Sequence, residues 1–105
     1  MALLKWRPQA RKDLEAIEAY FEEIAPDYAA FFMEQILEKT QQLERFPRLG
    51  RIVPEIGDES IRELIYRSYR IMYFVDSEGA EVEVLTVLHS SRQFGSLDFD
   101  DEEAV

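Results

Sequence analysis

Four arginines and the only histidine of the chain lie in its C-terminal half, within stretches of strand-like sequence: Arg62, Arg67, Arg70, His89 and Arg92. Guanidinium groups bind phosphates and carboxylates through paired N–H donors, and an imidazole gains or loses a proton near neutral pH. Such a set could bind an anionic group of another macromolecule and exchange a proton with it. The same arginines could equally form surface ion pairs with nearby glutamates. Those glutamates are Glu55, Glu59, Glu63 and Glu83.

Other chemistries find little support in the sequence. Cysteine is absent, which excludes a disulfide framework, a thiolate metal site and a cysteine nucleophile. One histidine cannot form a metal site alone, and neither a zinc pattern, a phosphate-binding loop nor a Ser-His-Asp spacing occurs. We therefore expect neither a metal nor a small-molecule cofactor.

Charge and hydropathy limit the possible partners. The 105 residues include 12 basic and 22 acidic side chains, a net charge of −10 that disfavours long-range attraction to nucleic acid. Five of the acids fall in residues 98–105, so the sequence predicts one domain over 1–97 and an acidic tail over 98–105. No apolar run approaches the roughly 20 residues that span a bilayer. We expect a cytoplasmic protein without a membrane segment.

The N-terminal half predicts a strand and two helices. Residues 3–6 are typical of a short strand, and apolar residues recur every three or four positions over 9–24 and again from Pro26 to Phe46. Pro8 and Pro26 suit the first turn of a helix, and Pro47 is expected to end the second one. The pattern predicts a helical hairpin with a very short link.

The C-terminal half predicts three strands over 61–66, 69–75 and 82–89, which are rich in β-branched and aromatic residues. Short links at 67–68 and 76–80 make them an antiparallel meander, which the N-terminal strand joins. The order β-α-α-β-β-β predicts an α+β fold with the helical hairpin packed on a small antiparallel sheet.

Alternation along a strand predicts which side chains share a face of the sheet. Arg70 lies opposite Tyr69, Ile71 and Tyr73, so it faces away from the helices if those three pack on them. The alternation along residues 85–89 places His89 on the same face as Leu85 and Val87, but it does not decide whether that face is the core. We expect Met72, Phe74 and Phe94 to be exposed apolar residues that a partner covers, although ordinary packing would also explain them.

Five stretches of the sequence resemble the RelE/ParE toxins, in order and at the expected spacing, over residues 3–94. The first begins Trp6-Arg7-Pro8-Gln9-Ala10 and runs through Asp13-Leu14 to Ile17. The remaining four stretches are 46–55, 62–64, 69–73 and 87–92. The resemblance implies a toxin of a type II toxin–antitoxin pair, also called a plasmid stabilisation protein, with the fold that the patterns predict.

The two branches of this family imply different activities. In a RelE-like toxin, which is a ribosome-dependent mRNA endoribonuclease, Arg70 and Arg92 would stabilise the phosphate and His89 would act as acid or base. A tyrosine that often completes such a site is not evident, and Phe94 stands near its place. A ParE-like toxin inhibits DNA gyrase. We favour this branch because of the net charge, the long hairpin and the lack of lysines after Lys39.

The resemblance also implies a protein partner. Toxins of this kind are wrapped by a cognate antitoxin, a segment of which lies over the sheet and the helices. We expect that antitoxin segment to carry basic residues, because this chain is acidic. The predicted binding residues are Arg62, Arg67, Met72, Phe74 and Phe94. A third possibility is a toxin-fold binding protein without toxicity.

Overall fold

The computed structural model describes residues 1–91, so Arg92, Phe94 and the acidic tail lie outside the described residues. A first strand is followed by two helices, and four further strands complete the sheet. The elements are β1 (Leu3–Trp6), α1 (Pro8–Ile24), α2 (Pro26–Gln41), β2 (Arg51–Ile52), β3 (Ile61–Tyr66), β4 (Tyr69–Val75) and β5 (Glu81–His89). In the described residues, no helix is long and apolar enough to cross a membrane.

The helical hairpin forms where the sequence predicts it. Pro8 and Pro26 each occupy the first turn of a helix, where the missing N–H needs no partner. Ala25 alone joins the helices, and its N–H donates to the carbonyl of Phe21. The predicted end of α2 at Phe46 is wrong. The α-helix ends at Gln41, and a 3₁₀ turn over Gln42–Glu44 lets Leu43 enter the core, where it is fully buried.

The sheet has the strand order β1-β5-β4-β3-β2. The meander β3-β4-β5 and the pairing of β2 with β3 are antiparallel, whereas β1 runs parallel to β5. The α+β fold with its helical hairpin is therefore confirmed, but the sheet is mixed rather than wholly antiparallel. β2 was not predicted, because only two residues of a proline- and glycine-rich loop pair with β3.

Both faces of β4 are covered, by different parts of the chain. On one face, Ile71 packs with Phe32 and Ile36 of α2, as the alternation predicts. Tyr73 is buried on the same face beside Leu43. On the other face, Val53 and Ile56 from the loop before β3 cover Met72. This second covering layer determines what the predicted arginines can contact.

Candidate functional site: an arginine–glutamate network and an aromatic trough

Arg70 is bound by two glutamates of its own chain. Its Nε donates to Oε1 of Glu63 at 2.6 Å, while Nη1 and Nη2 donate to the two carboxylate oxygens of Glu55, each at 2.8 Å. The second oxygen of Glu63 accepts from Nε of Arg51 at 2.6 Å. We call these four residues the arginine–glutamate network: Arg51, Glu55, Glu63 and Arg70.

The network runs from the core to the surface. The side chain of Glu63 is 0% exposed and that of Arg70 is 8% exposed, whereas that of Glu55 is 39% exposed. The hydrogen bonds from Arg70 lower the pKa of Glu55 from 4.5 to about 2. The same bonds to Glu55 raise the pKa of Arg70. Both side chains therefore remain charged at neutral pH.

Strand register explains most of this arrangement. Arg51 and Glu63 are cross-strand partners, and Glu63 pairs with Met72, two residues along β4 from Arg70 and on the same face. Arg70 thus lies on the predicted face, away from the helices, and it forms ion pairs with two of the glutamates that the sequence offered, Glu55 and Glu63. The loop that carries Glu55 also covers the guanidinium, so these pairs are more buried than the surface pairs that the sequence suggested. Met72 was also expected to be exposed, and it is fully buried under Val53.

His89 lies at the end of β5, away from the network. Its ring contacts Tyr69 edge-on, with 5.3 Å between ring centres, and Tyr69 is its cross-strand partner. Its Nδ1 atom accepts the backbone N–H of Ser91 at 3.1 Å and lies 2.7 Å from the hydroxyl oxygen of the same residue. Because Arg70 follows Tyr69 directly, it points to the opposite face of the sheet. The structure does not bring the predicted pair together, and Arg92 lies outside the described residues.

An aromatic trough of about 490 Å³ opens beside His89, between α1, the start of α2 and the β3–β4 turn. Its lining includes Tyr20, Tyr28, Arg67, Tyr69 and His89. Arg67 has a left-handed backbone with φ of 51° in the two-residue turn, and its Nε donates to the Tyr66 hydroxyl at 3.2 Å. That hydrogen bond raises the pKa of Arg67. The trough thus offers a cation among aromatic rings, which suits a mixed apolar and acidic segment of a protein.

Of the remaining predicted binding residues, Arg62 and Phe74 line a second cavity. Arg62 donates to the carbonyl oxygens of Glu59 and Gly50, at 2.9 and 3.0 Å. Phe74 is 37% exposed, and with Arg62 it lines a cavity of about 480 Å³. Phe94 lies outside the described residues. Sequence reasoning missed Tyr20 and Tyr28, whose helical spacing marks them only as apolar helix positions.

No metal site is evident in the part of the chain that the structure describes. Groups of three or more His, Asp or Glu side chains that could hold an ion do not occur within residues 1–91. The carboxylates of the network are occupied by arginines, and His89 contacts a tyrosine and a serine.

Comparisons with solved structures show the same fold. A structure of the chromosomal ParDE toxin–antitoxin system of P. aeruginosa aligns with a TM-score of 0.69 at 24% identity, over 85% of this chain and 96% of that one. The intact RelBE toxin–antitoxin complex of E. coli aligns with a TM-score of 0.60 at 21% identity, over 88% and 100% of the two chains. At these identities the likeness establishes the architecture.

Sequence comparisons identify the family. A curated relative from Sinorhizobium fredii, named "Putative toxin Y4kP", is 33% identical over 96 residues, which is 87% of this chain and 91% of the relative. Residues 4–94 match the model of the ParE toxin of the type II toxin–antitoxin system parDE. The chain therefore belongs to the ParE family of type II toxins.

Proposed function

We propose that this type II toxin acts by binding a protein target, with DNA gyrase as the first candidate, and that it does not cut RNA. The observation that carries the proposal is the pairing of Arg70 with Glu55 and Glu63. An arginine that must first give up a carboxylate of its own chain is poorly placed to stabilise a phosphate in a transition state.

The position of His89 supports the same proposal. RNA cleavage needs an acid or base and a phosphate-binding cation within reach of one scissile bond. His89 contacts Tyr69 on one face of the sheet, whereas Arg70 binds Glu55 on the other face. A net charge of −10 further disfavours entry into a site built of RNA.

We propose a cytoplasmic toxin that is neutralised by a cognate antitoxin. The solved structures with this fold include the chromosomal ParDE toxin–antitoxin system of P. aeruginosa and the intact RelBE toxin–antitoxin complex of E. coli. Two surfaces of this chain have the mixed chemistry of a protein interface: the cavity beside Arg62 and Phe74, and the aromatic trough around Tyr69. An antitoxin segment in either place would cover exposed aromatic rings and pair with an arginine.

A supercoiling assay with purified gyrase tests the target. We expect the toxin to reduce supercoiling, and the variant Glu15→Ala, on the exposed face of α1, to do so equally. Undisturbed supercoiling at large molar excess of toxin would remove gyrase as the target.

Primer extension on translated mRNA tests the alternative activity. We expect no new 5′ ends when the toxin is added. New ends that disappear in His89→Ala would instead establish a ribosome-dependent endoribonuclease, which remains the second candidate because His89 and Arg67 line one open trough. Harmless expression without the antitoxin, together with negative results in both assays, would indicate a toxin fold without toxicity.

A further inference from the structure

The outer end of Arg70 is built like an anion-binding site that already holds its ligand. Both Nη atoms point at one planar carboxylate and bind its two oxygens at equal distances of 2.8 Å. The inner end is fixed separately, because Nε binds the fully buried Glu63. The guanidinium is therefore held in place whether or not Glu55 occupies its outer side.

The charges around Arg70 favour a single negative charge in the position of Glu55. Without Glu55, the network would keep two arginines and one glutamate, which is a net charge of +1. The stretch of sequence that carries the network has the same sign: residues 45–75 contain six basic and four acidic side chains. The helical hairpin is the opposite, with three basic and eight acidic side chains over residues 8–41. Of these two ranges, the helical one is acidic and the one that contains Arg70 is basic, so a basic partner suits the helices rather than this site.

Glu55 lies on a short turn that its neighbours anchor independently. Val53 is fully buried, and its carbonyl accepts the N–H groups of Ile56 and Gly57 at 3.0 and 2.9 Å. Gly57 has a positive φ of 72°, and the space where a side chain would lie is open. The carboxylate of Glu55 is thus a partly exposed group on a turn whose own hydrogen bonds do not depend on Arg70.

We propose that Arg70 forms a carboxylate-binding site with Glu55 as its resident ligand, and that an acidic side chain of a protein partner takes the place of Glu55. The site gives the toxin a second way of recognising a partner, besides apolar contact. The exchange conserves one bidentate pair with Arg70 and releases Glu55 to water. It does not depend on which macromolecule the toxin inhibits.

Thermal unfolding of the full chain in sodium acetate or sodium chloride, at equal ionic strength, tests the site. The variant Glu55→Gln retains the size of the side chain but removes the competing charge. We expect acetate to raise its Tm above the value in chloride by about 4–8 °C once acetate is several-fold above its Kd. The unmodified chain should respond much less, because Glu55 competes within the molecule.

Glu59→Gln is the matched control, since Glu59 is an exposed glutamate on the same loop. This variant loses the same charge, and the difference between its Tm in acetate and in chloride should equal that of the unmodified chain. Equal acetate responses in all three proteins would overturn the proposal and leave a purely structural ion pair. If Glu55→Gln unfolds in chloride, acetate must restore its folding, and an unfolded chain in both salts would also overturn it.

Dimethyl phosphate in place of acetate distinguishes a protein carboxylate from a nucleic-acid phosphate. It carries one negative charge, like acetate, but it has the tetrahedral shape of the RNA backbone. We expect a smaller rise in the Tm of Glu55→Gln than acetate gives. A larger rise would overturn the assignment to protein carboxylates and favour an RNA ligand.

Discussion

Arg70 and His89 belong to neighbouring strands, yet they point to opposite faces of the sheet. His89 pairs with Tyr69 and contacts its ring, and the next residue of β4, Arg70, turns to the other face. There it binds Glu63 and Glu55. Substitutions at these two positions should therefore affect different properties of the protein.

Replacing Arg70 by alanine should destabilise the fold. The change leaves Glu63 fully buried with Arg51 as its remaining ion-pair partner in the network, and we expect a loss of about 3 kcal/mol in the free energy of unfolding. Urea denaturation measures it. His89→Ala is the control: its side chain is exposed, and we expect a change within about 0.5 kcal/mol. Equal stabilities of the two variants would show that the network does not hold this face together.

The Glu55–Arg70 pair should make stability depend on acidic pH. Because the pKa of Glu55 is lowered from 4.5 to about 2 in the folded state, the unfolded chain binds its proton first as the pH falls. The stabilisation is complete above about pH 4.5 and is lost progressively towards pH 2. Urea midpoints across this range measure the effect.

Glu55→Gln should reduce the slope of stability against pH between pH 4.5 and pH 2, because glutamine does not titrate. Glu59→Gln should retain it. The interpretation fails if the slope of stability against pH between 4.5 and 2 is the same for Glu55→Gln and the unmodified chain.

The helices and the meander could be predicted from sequence because their signals are local. Apolar spacing of three to four residues defined α1, and proline placed the start of both helices at Pro8 and Pro26. The predicted end of α2 was wrong because the 3₁₀ turn continues almost the same spacing of apolar residues as the α-helix, and it places Leu43 in the core. β2 was missed because its two residues pair only through contact with β3.

The candidate site was harder to predict because its contacts are not local. Alternation placed Arg70 on the correct face, but it gives no information about which loop covers that face. Glu55 precedes Arg70 by 15 residues and reaches it only because Val53 and Ile56 pack on Met72. The same packing explains why Met72 is buried, although the strand pattern placed it on the face that the helices do not cover. Sequence could therefore name the arginine and a set of four candidate glutamates, but it could not select Glu55 and Glu63 from that set.

Gly50 should tolerate no side chain, because β3 and Tyr73 occupy the space around it. A Cβ at this position would clash with the carbonyl oxygen of Glu63 and lie 2.9 Å from a ring carbon of Tyr73. We expect Gly50→Ala to cost about 2–3 kcal/mol in urea denaturation, since backbone must move. Gly57→Ala is the comparison: its space is open, and only the positive φ opposes alanine, by about 1 kcal/mol. A smaller loss at Gly50 than at Gly57 would contradict the close packing.

Asp13 should stabilise the edge of β5 that β1 leaves uncovered. Pairing between β1 and β5 ends at Trp6 and Val84, and beyond it the Asp13 carboxylate accepts the Thr86 hydroxyl and the backbone N–H of Val87. Asp13→Ala leaves these two donors without that acceptor, and we expect a loss of about 2 kcal/mol. Amide hydrogen exchange should accelerate at Val87 in particular.

A double-mutant cycle with Thr86→Val isolates the side-chain part of this contact. We expect Asp13→Ala and Thr86→Val to be non-additive by about 1 kcal/mol, because each single change already removes the bond between them. Glu15→Ala, on the exposed face of α1, should combine additively with Thr86→Val. Strict additivity of Asp13→Ala and Thr86→Val would contradict this prediction. It would mean that the hydrogen bond between the two side chains contributes nothing to the attachment of α1 to the sheet.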